Sequence, residues 1–185
     1  MGSRPGSGGP RLPSWAVVTE PRRAHIARVA ALLTEWAGVM AVEPAERELW
    51  LRAAYLHDAL RDLPPTKLAE LAPDACATPA LRHGPAAAAM AARHGETDAG
   101  VLSAVRYHTV GFAGWNRVGR MLYLADYLEP GRPDGSETRR GLASRAPLDP
   151  DGVLRQVAAE RLIWSISQGR PLLPETVEFW NGLIG

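Results

Sequence analysis

The residues in this chain whose types suit chemistry are histidines and aspartates. Histidine stands at positions 25, 57, 83, 94 and 108, and His57 is followed directly by Asp58. An imidazole beside a carboxylate suits two tasks, ligation of a divalent cation and proton transfer. Ala54, Ala53 and Trp50 precede His57 by three, four and seven residues, so helical geometry puts the ring on an apolar face. Asp58 falls about 100° further round that helix. A buried carboxylate without a partner costs several kcal/mol, and a cation lodged against the face would supply one. His25 lies 32 residues before His57, on a stripe with Val29, Leu32, Leu33 and Trp36. His83 comes 25 residues after Asp58, His108 another 25 later, and Asp126 a further 18. Tyr123, Leu122 and Gly119 precede Asp126 by three, four and seven residues. This turns Asp126 inward as well, with Gly119 leaving room beside it. His94 fits no such pattern and reads as a surface cation at a helix C-terminus.

Helices must position these groups. The apolar period is about 3.6 almost everywhere after the first residues. It predicts helices over 22–40, 44–60, 67–71, 86–93, 98–107, 116–129, 151–168 and 175–184. Pro44 suits a first turn, Thr97 a cap, and Pro85 the start of the Ala-rich stretch. No β-branched alternation of strand length appears. The expected fold is all-α, with seven to nine helices, a disordered Gly/Pro-rich arm at 1–13 and one domain at 14–185. Composition agrees: 185 residues, 46% hydrophobic and 22% charged, are enough for one packed core. A net charge of +1 gives no footprint of nucleic-acid binding. The single cysteine, Cys76, excludes an intrachain disulfide and a Cys-based zinc cluster. No apolar run is long enough to span a membrane, and no apolar leader opens the chain. A cytoplasmic protein is expected.

The order His…His-Asp…His…His…Asp in a helical chain resembles the HD-domain metal phosphohydrolases. Within them it is similar to the YqeK family of symmetrical diadenosine tetraphosphatases. The resemblance is carried by Arg22-Arg-Ala-His25, Leu56-His-Asp-Ala-Leu-Arg61, Leu81-Arg-His-Gly-Pro85 and Tyr107-His-Thr-Val-Gly111. Leu124-Ala-Asp-Tyr-Leu-Glu-Pro-Gly-Arg132 and Leu173-Pro-Glu-Thr-Val-Glu-Phe-Trp-Asn181 complete it. Four positions depart from the family's usual residues. Ile26 stands for Ser, Arg61 for Lys, Val110 for Thr and Trp180 for Arg.

The resemblance implies an HD-domain helical bundle and a ligand set of His25, His57, Asp58 and Asp126. His83 and His108 would either hold a second metal or contact phosphate. It implies iron, as one or two ions; mixed imidazole and carboxylate ligation also suits manganese or another divalent metal. Arg22, Arg61 and Arg132 are expected to clamp phosphate with their planar forks. Thr109 is expected to bond a phosphate, and Thr176 and Asn181 to face the nucleotide. Trp115 is either core or a lid. The implied reaction splits diadenosine tetraphosphate at its centre into two ADP. Asp58 or Asp126 would take the proton of the attacking water, with His83 and His108 beside them. Two alternatives stand beside it: an HD phosphohydrolase acting on a nucleoside mono- or triphosphate, and a non-catalytic nucleotide-binding regulator. The expected partner is a dinucleoside polyphosphate or nucleotide, with no nucleic acid and no membrane. A homodimer is compatible with the sequence.

Overall fold

The computed structural model describes residues 10–75, 78–131 and 137–185. Among these, every regular element is a helix: α1 (Glu20–Val39), α2 (Pro44–Leu56), α3 (Pro65–Leu71), α4 (Pro79–Arg93), α5 (Ala99–Tyr107), α6 (Arg117–Leu128), α7 (Glu137–Arg145), α8 (Pro150–Ser167) and α9 (Pro174–Ile184). Residues 1–9 of the expected arm, Cys76 and Arg132 lie outside the described residues.

The centre is made by α1, α2, α5 and α6, which pack on one another. Trp36, Trp50, Leu33, Leu122 and Leu124 are all fully buried there. Helix α6 is buried nearly all round, from Val118 to Leu128, as a helix enclosed by others must be. Helix α4 packs on α5 through small residues. Ala86, Ala87 and Ala91 are buried, and a Cβ on Gly84 would meet the Val105 and Arg106 carbonyls at 2.9 Å. The two backbones therefore approach closely at Gly84.

Four local expectations are corrected. α4 begins at Pro79 and runs through Pro85. Gly84 has no Cβ to collide with the following proline ring, which relieves the usual bias against helix before proline. α7 was not expected. It is polar all round, and Leu142 is its one buried residue. α2 stops at Leu56, with His57 as its C-cap, four residues earlier than the periodicity suggested. Asp98, not Thr97, caps α5, accepting from the Val101 amide at 2.9 Å.

Gly119 has a different use from the one its spacing suggested. A Cβ there would stand 2.3 Å from the Trp115 indole. Trp115 itself is core rather than a lid. It is buried, and its Nε1 donates to the Ser103 carbonyl at 3.1 Å. Gly119→Ala should overpack this contact and cost about 1–3 kcal/mol. A lowered urea midpoint at unchanged slope would show it; an unchanged midpoint would mean the indole moves freely.

Candidate metal centre

Four histidines and two aspartates, far apart in sequence, converge on one buried point. His25 comes from the second turn of α1, His57 caps α2, His83 sits inside α4, His108 caps α5, and Asp126 lies near the end of α6. Asp58 occupies the tight turn after α2, where Ala59 N bonds to Leu56 O and Arg61 N to Asp58 O. His25, His57, Asp58, His83, His108 and Asp126 are each at most 6% exposed. His83 thus stands inside a helix rather than at the start of one.

The donors fall into two triads: His25, His57 and Asp126, and Asp58, His83 and His108. Within each, one ligand atom per residue lies within 4.8 Å of the others. Asp58 joins the triads. Its Oδ1 is 3.0 Å from His83 Nε2 and 3.6 Å from His108 Nε2. Its Oδ2 is 3.6 Å from His57 Nε2 and 3.7 Å from His25 Nε2. Asp126 Oδ1 lies 3.1 Å from His25 Nε2.

The outer hydrogen bonds decide which nitrogen faces inward. His57 Nδ1 donates to Ala54 O at 2.7 Å, and His108 Nδ1 donates to Val105 O at 2.8 Å. A carbonyl accepts only, so both rings carry a proton on Nδ1 and turn Nε2 toward the centre, where a neutral ring offers a lone pair. His25 Nδ1 pairs with Glu129 Oε1 at 3.0 Å, with the same consequence. His25 Nε2 and His57 Nε2 then face each other at 3.3 Å. Two inward lone pairs at that distance repel unless a proton or a cation lies between them. The donor set therefore fits a metal ion on geometry alone.

Electrostatics favour the neutral, ligating form at two of the histidines, His57 and His83. Complete burial holds the His57 pKa down to about 4, and Asp58 does not offset it. His57 is neutral at ordinary pH, the form that ligates. Burial also lowers the pKa of His83. Burial disfavours the Asp58 anion too, but His57, His108 and His83 outweigh it and hold its pKa well below the carboxylate range. Burial works against a charged His25, yet Asp126 and Glu129 prevail and raise its pKa.

Around the centre, Arg22 Nη1 donates to Asp58 Oδ2 at 2.6 Å. Arg61 lies near enough to His83 for its charge to disfavour protonation of that ring. Thr109 Oγ1 is 3.3 Å from His108 Nε2. The Thr176 hydroxyl donates to Val110 O at 2.9 Å. Asn181 is an exposed residue of α9. His94 is exposed at the end of α4 and stacks on Trp15.

Sequence reasoning overlooked Glu129. It is 2% exposed, and besides His25 it accepts from Arg28 and, at 2.7 Å, from the Gly131 amide. Those donors pull its pKa down to about 2 against the effect of burial. Its position three residues after Asp126 was a usable signal, because that spacing puts both carboxylates on one helix face.

The HD domain family model matches residues 22–131 of this chain. The chain belongs to the HD domain family. The matched stretch of this HD domain runs from Arg22 to just past Glu129 and contains every donor of both triads. A symmetrical bis(5'-nucleosyl)-tetraphosphatase of Bacillus subtilis is 32% identical over 109 residues, 57% of this chain and 56% of that one. A protein of the same name from Halalkalibacterium halodurans is 30% identical over 91 residues, 49% of this chain and 47% of that one. The HD domain chain thus spans about half the length of the curated relatives it matches. A solved structure from Clostridium acetobutylicum, described as a predicted HD superfamily hydrolase involved in NAD metabolism, superposes with a TM-score of 0.79. It is 27% identical, and the match covers 90% of each chain. Among the described residues no helix is long and apolar enough to cross a membrane.

Proposed function

We propose that this HD domain hydrolyses diadenosine tetraphosphate at its centre, giving two ADP, with iron as its metal. The observation that carries the reading is Asp58, which turns one oxygen to each triad. A carboxylate shared in this way suits a pair of cations, and imidazole with carboxylate suits iron or manganese. When bound, such cations polarise phosphoryl oxygens and lower the pKa of water.

The chain's own residues supply the rest. Arg22 and Arg61 stand beside the cluster, where they would neutralise the phosphate chain as charge grows on the leaving group. Arg132 follows Gly131, whose amide Glu129 holds, and is assigned to the same task. His83 and His108 complete the second triad and face the phosphate side. The Thr109 hydroxyl, beside His108 Nε2, is a further phosphate partner. Asn181 is assigned to the nucleoside end. Asp58 or Asp126 takes a proton from the attacking water. Water adds its oxygen to one central phosphorus, the bridging P–O bond breaks, and the proton ends on the departing ADP.

The test is an anaerobic assay of the iron-reconstituted protein. The panel contains diadenosine tetraphosphate, NAD, ATP and AMP, with products separated by ion exchange. ADP alone from the tetraphosphate, lost on chelation, is the expected result. ATP plus AMP would overturn central cleavage. Preferred turnover of NAD, ATP or AMP would overturn the substrate. Tight ADP binding without turnover would make the domain a regulator.

A further inference from the structure

Two helices that contribute no donor to the cluster grip the turn that follows His108. From α8, Arg161 Nη2 donates to the Thr109 carbonyl at 2.7 Å. From α9, Thr176 Oγ1 donates to the Val110 carbonyl at 2.9 Å. The next residue, Gly111, has φ +88°, and a Cβ there would meet Phe179 of α9 at 2.3 Å. Three consecutive residues are thus each engaged by one side chain of α8 or α9. Within the turn, the amides of Val110 and Gly111 both bond to the Tyr107 carbonyl at 2.9 Å.

Carbonyls at the end of a helix lack intrahelical donors and need partners from elsewhere. Water could serve for a turn that only closes a helix. Here a guanidinium is committed instead, in a charge-assisted bond that fixes direction as well as distance. The same guanidinium lies over the Tyr123 ring at 4.6 Å and within 5.9 Å of the Tyr127 ring. Both tyrosines belong to α6, and they flank Asp126 in sequence. Arg161 therefore touches the helix end that presents His108 and also the helix that presents Asp126. Those two ligands belong to different triads. Arg161 lies beyond the stretch that the HD family model matches.

We propose that Arg161 is a positioning residue. From α8 it holds the His108–Thr109 turn in register with the Asp126 face of α6, and Thr176 and Phe179 complete the clamp. Its effect on catalysis rests on the hydrolytic reading above; its effect on the turn does not. A displacement of about 1 Å at a reacting group can cost on the order of a hundredfold in rate. Loss of the clamp therefore acts mainly on kcat, because the alignment of His108 and Thr109 matters most in the transition state.

The experiment compares the full-length protein with Arg161→Met, Arg161→Lys and Thr176→Val, using amide hydrogen exchange without substrate and steady-state kinetics. In R161M the Val110 and Gly111 amides should exchange at least about tenfold faster while α1 and α2 amides keep their protection. Its kcat should fall roughly ten- to a hundredfold with KM within about threefold. R161K restores the donor but not the planar stack, so it should recover part of both effects. T176V should loosen the same two amides through the other arm. Unchanged exchange at Val110 and Gly111 would overturn the clamp. So would uniformly faster exchange throughout the protein, which marks mere packing, or a change in KM alone, which marks direct substrate contact. If R161M does not fold, R161K and T176V decide by the same criteria. If the wild type hydrolyses no dinucleotide, exchange at the turn alone decides the clamp, and only the reaction is lost.

Discussion

Asp58→Asn should reduce hydrolysis by about a thousandfold or more and strip metal from both triads, with the helical circular dichroism spectrum unchanged. The two oxygens of Asp58 address both sets of imidazoles. An amide keeps the volume but carries no charge. It also points an NH2 at one of the two sets, where inward lone pairs already await a cation. Metal analysis of the purified variant should find much less metal than in wild-type protein prepared alongside it. Helix α2 ends before Asp58, so the substitution spares helical backbone bonds. Retention of wild-type turnover, or of the full metal complement, would show that the triads act separately and that Asp58 merely fills space.

Glu129→Gln should weaken metal binding by roughly ten- to a hundredfold, the usual loss when the partner of a ligating histidine is removed. Among the described residues the carboxylate accepts from His25 Nδ1, two nitrogens of Arg28 and the Gly131 amide. A glutamine can accept on one side only; its NH2 then faces donors on the other. Turned one way it leaves the buried His25 Nδ1 unmet, at a cost of about 1–3 kcal/mol; turned the other it faces the part-buried Arg28 Nε and Gly131 amide. Titration with Mn(II) under inert gas would read the loss. Because Glu129 touches His25 and not His83 or His108, the weaker site should be that of the His25, His57 and Asp126 triad. Equal weakening of both sites would mean that the substitution disturbs the whole bundle.

The ligands were legible because they carry strong chemistry at helical phase. His57 over Ala54, Ala53 and Trp50, and Asp126 over Tyr123 and Leu122, each announced an inward side chain, and both are buried. The helical class was legible for the same reason. What escaped notice was set by tertiary contact. α7 lacks an apolar stripe and is anchored by Leu142 and by a bond from Trp36 Nε1 to its Ala143 carbonyl at 3.0 Å; nothing local announces it. The continuation of α4 through Pro85 depends on Gly84 lying against α5, a neighbour that no local pattern reveals. Glu129 looked like the last residue before a helix-stopping proline, and its task shows only once α1 is laid alongside α6. Arg161 resembled any arginine on an amphipathic helix until Thr109 was seen beneath it. The spacing of Gly119 suggests room for the Asp126 carboxylate, whereas the room it leaves is taken by the Trp115 indole.

The seam between α4 and α5 constrains how this cluster can vary. Gly84 rests on the Val105 and Arg106 carbonyls, and the alanines along α4 leave no slack. The rings of His83 and His108, whose centroids are 4.8 Å apart, are therefore spaced by two main chains in contact rather than by adjustable side chains. Point changes among their neighbours can loosen that spacing but cannot retune it. A change in what the cluster accepts would have to proceed around it, through groups such as Arg22 and Arg61, while the gauge of the interior stays fixed.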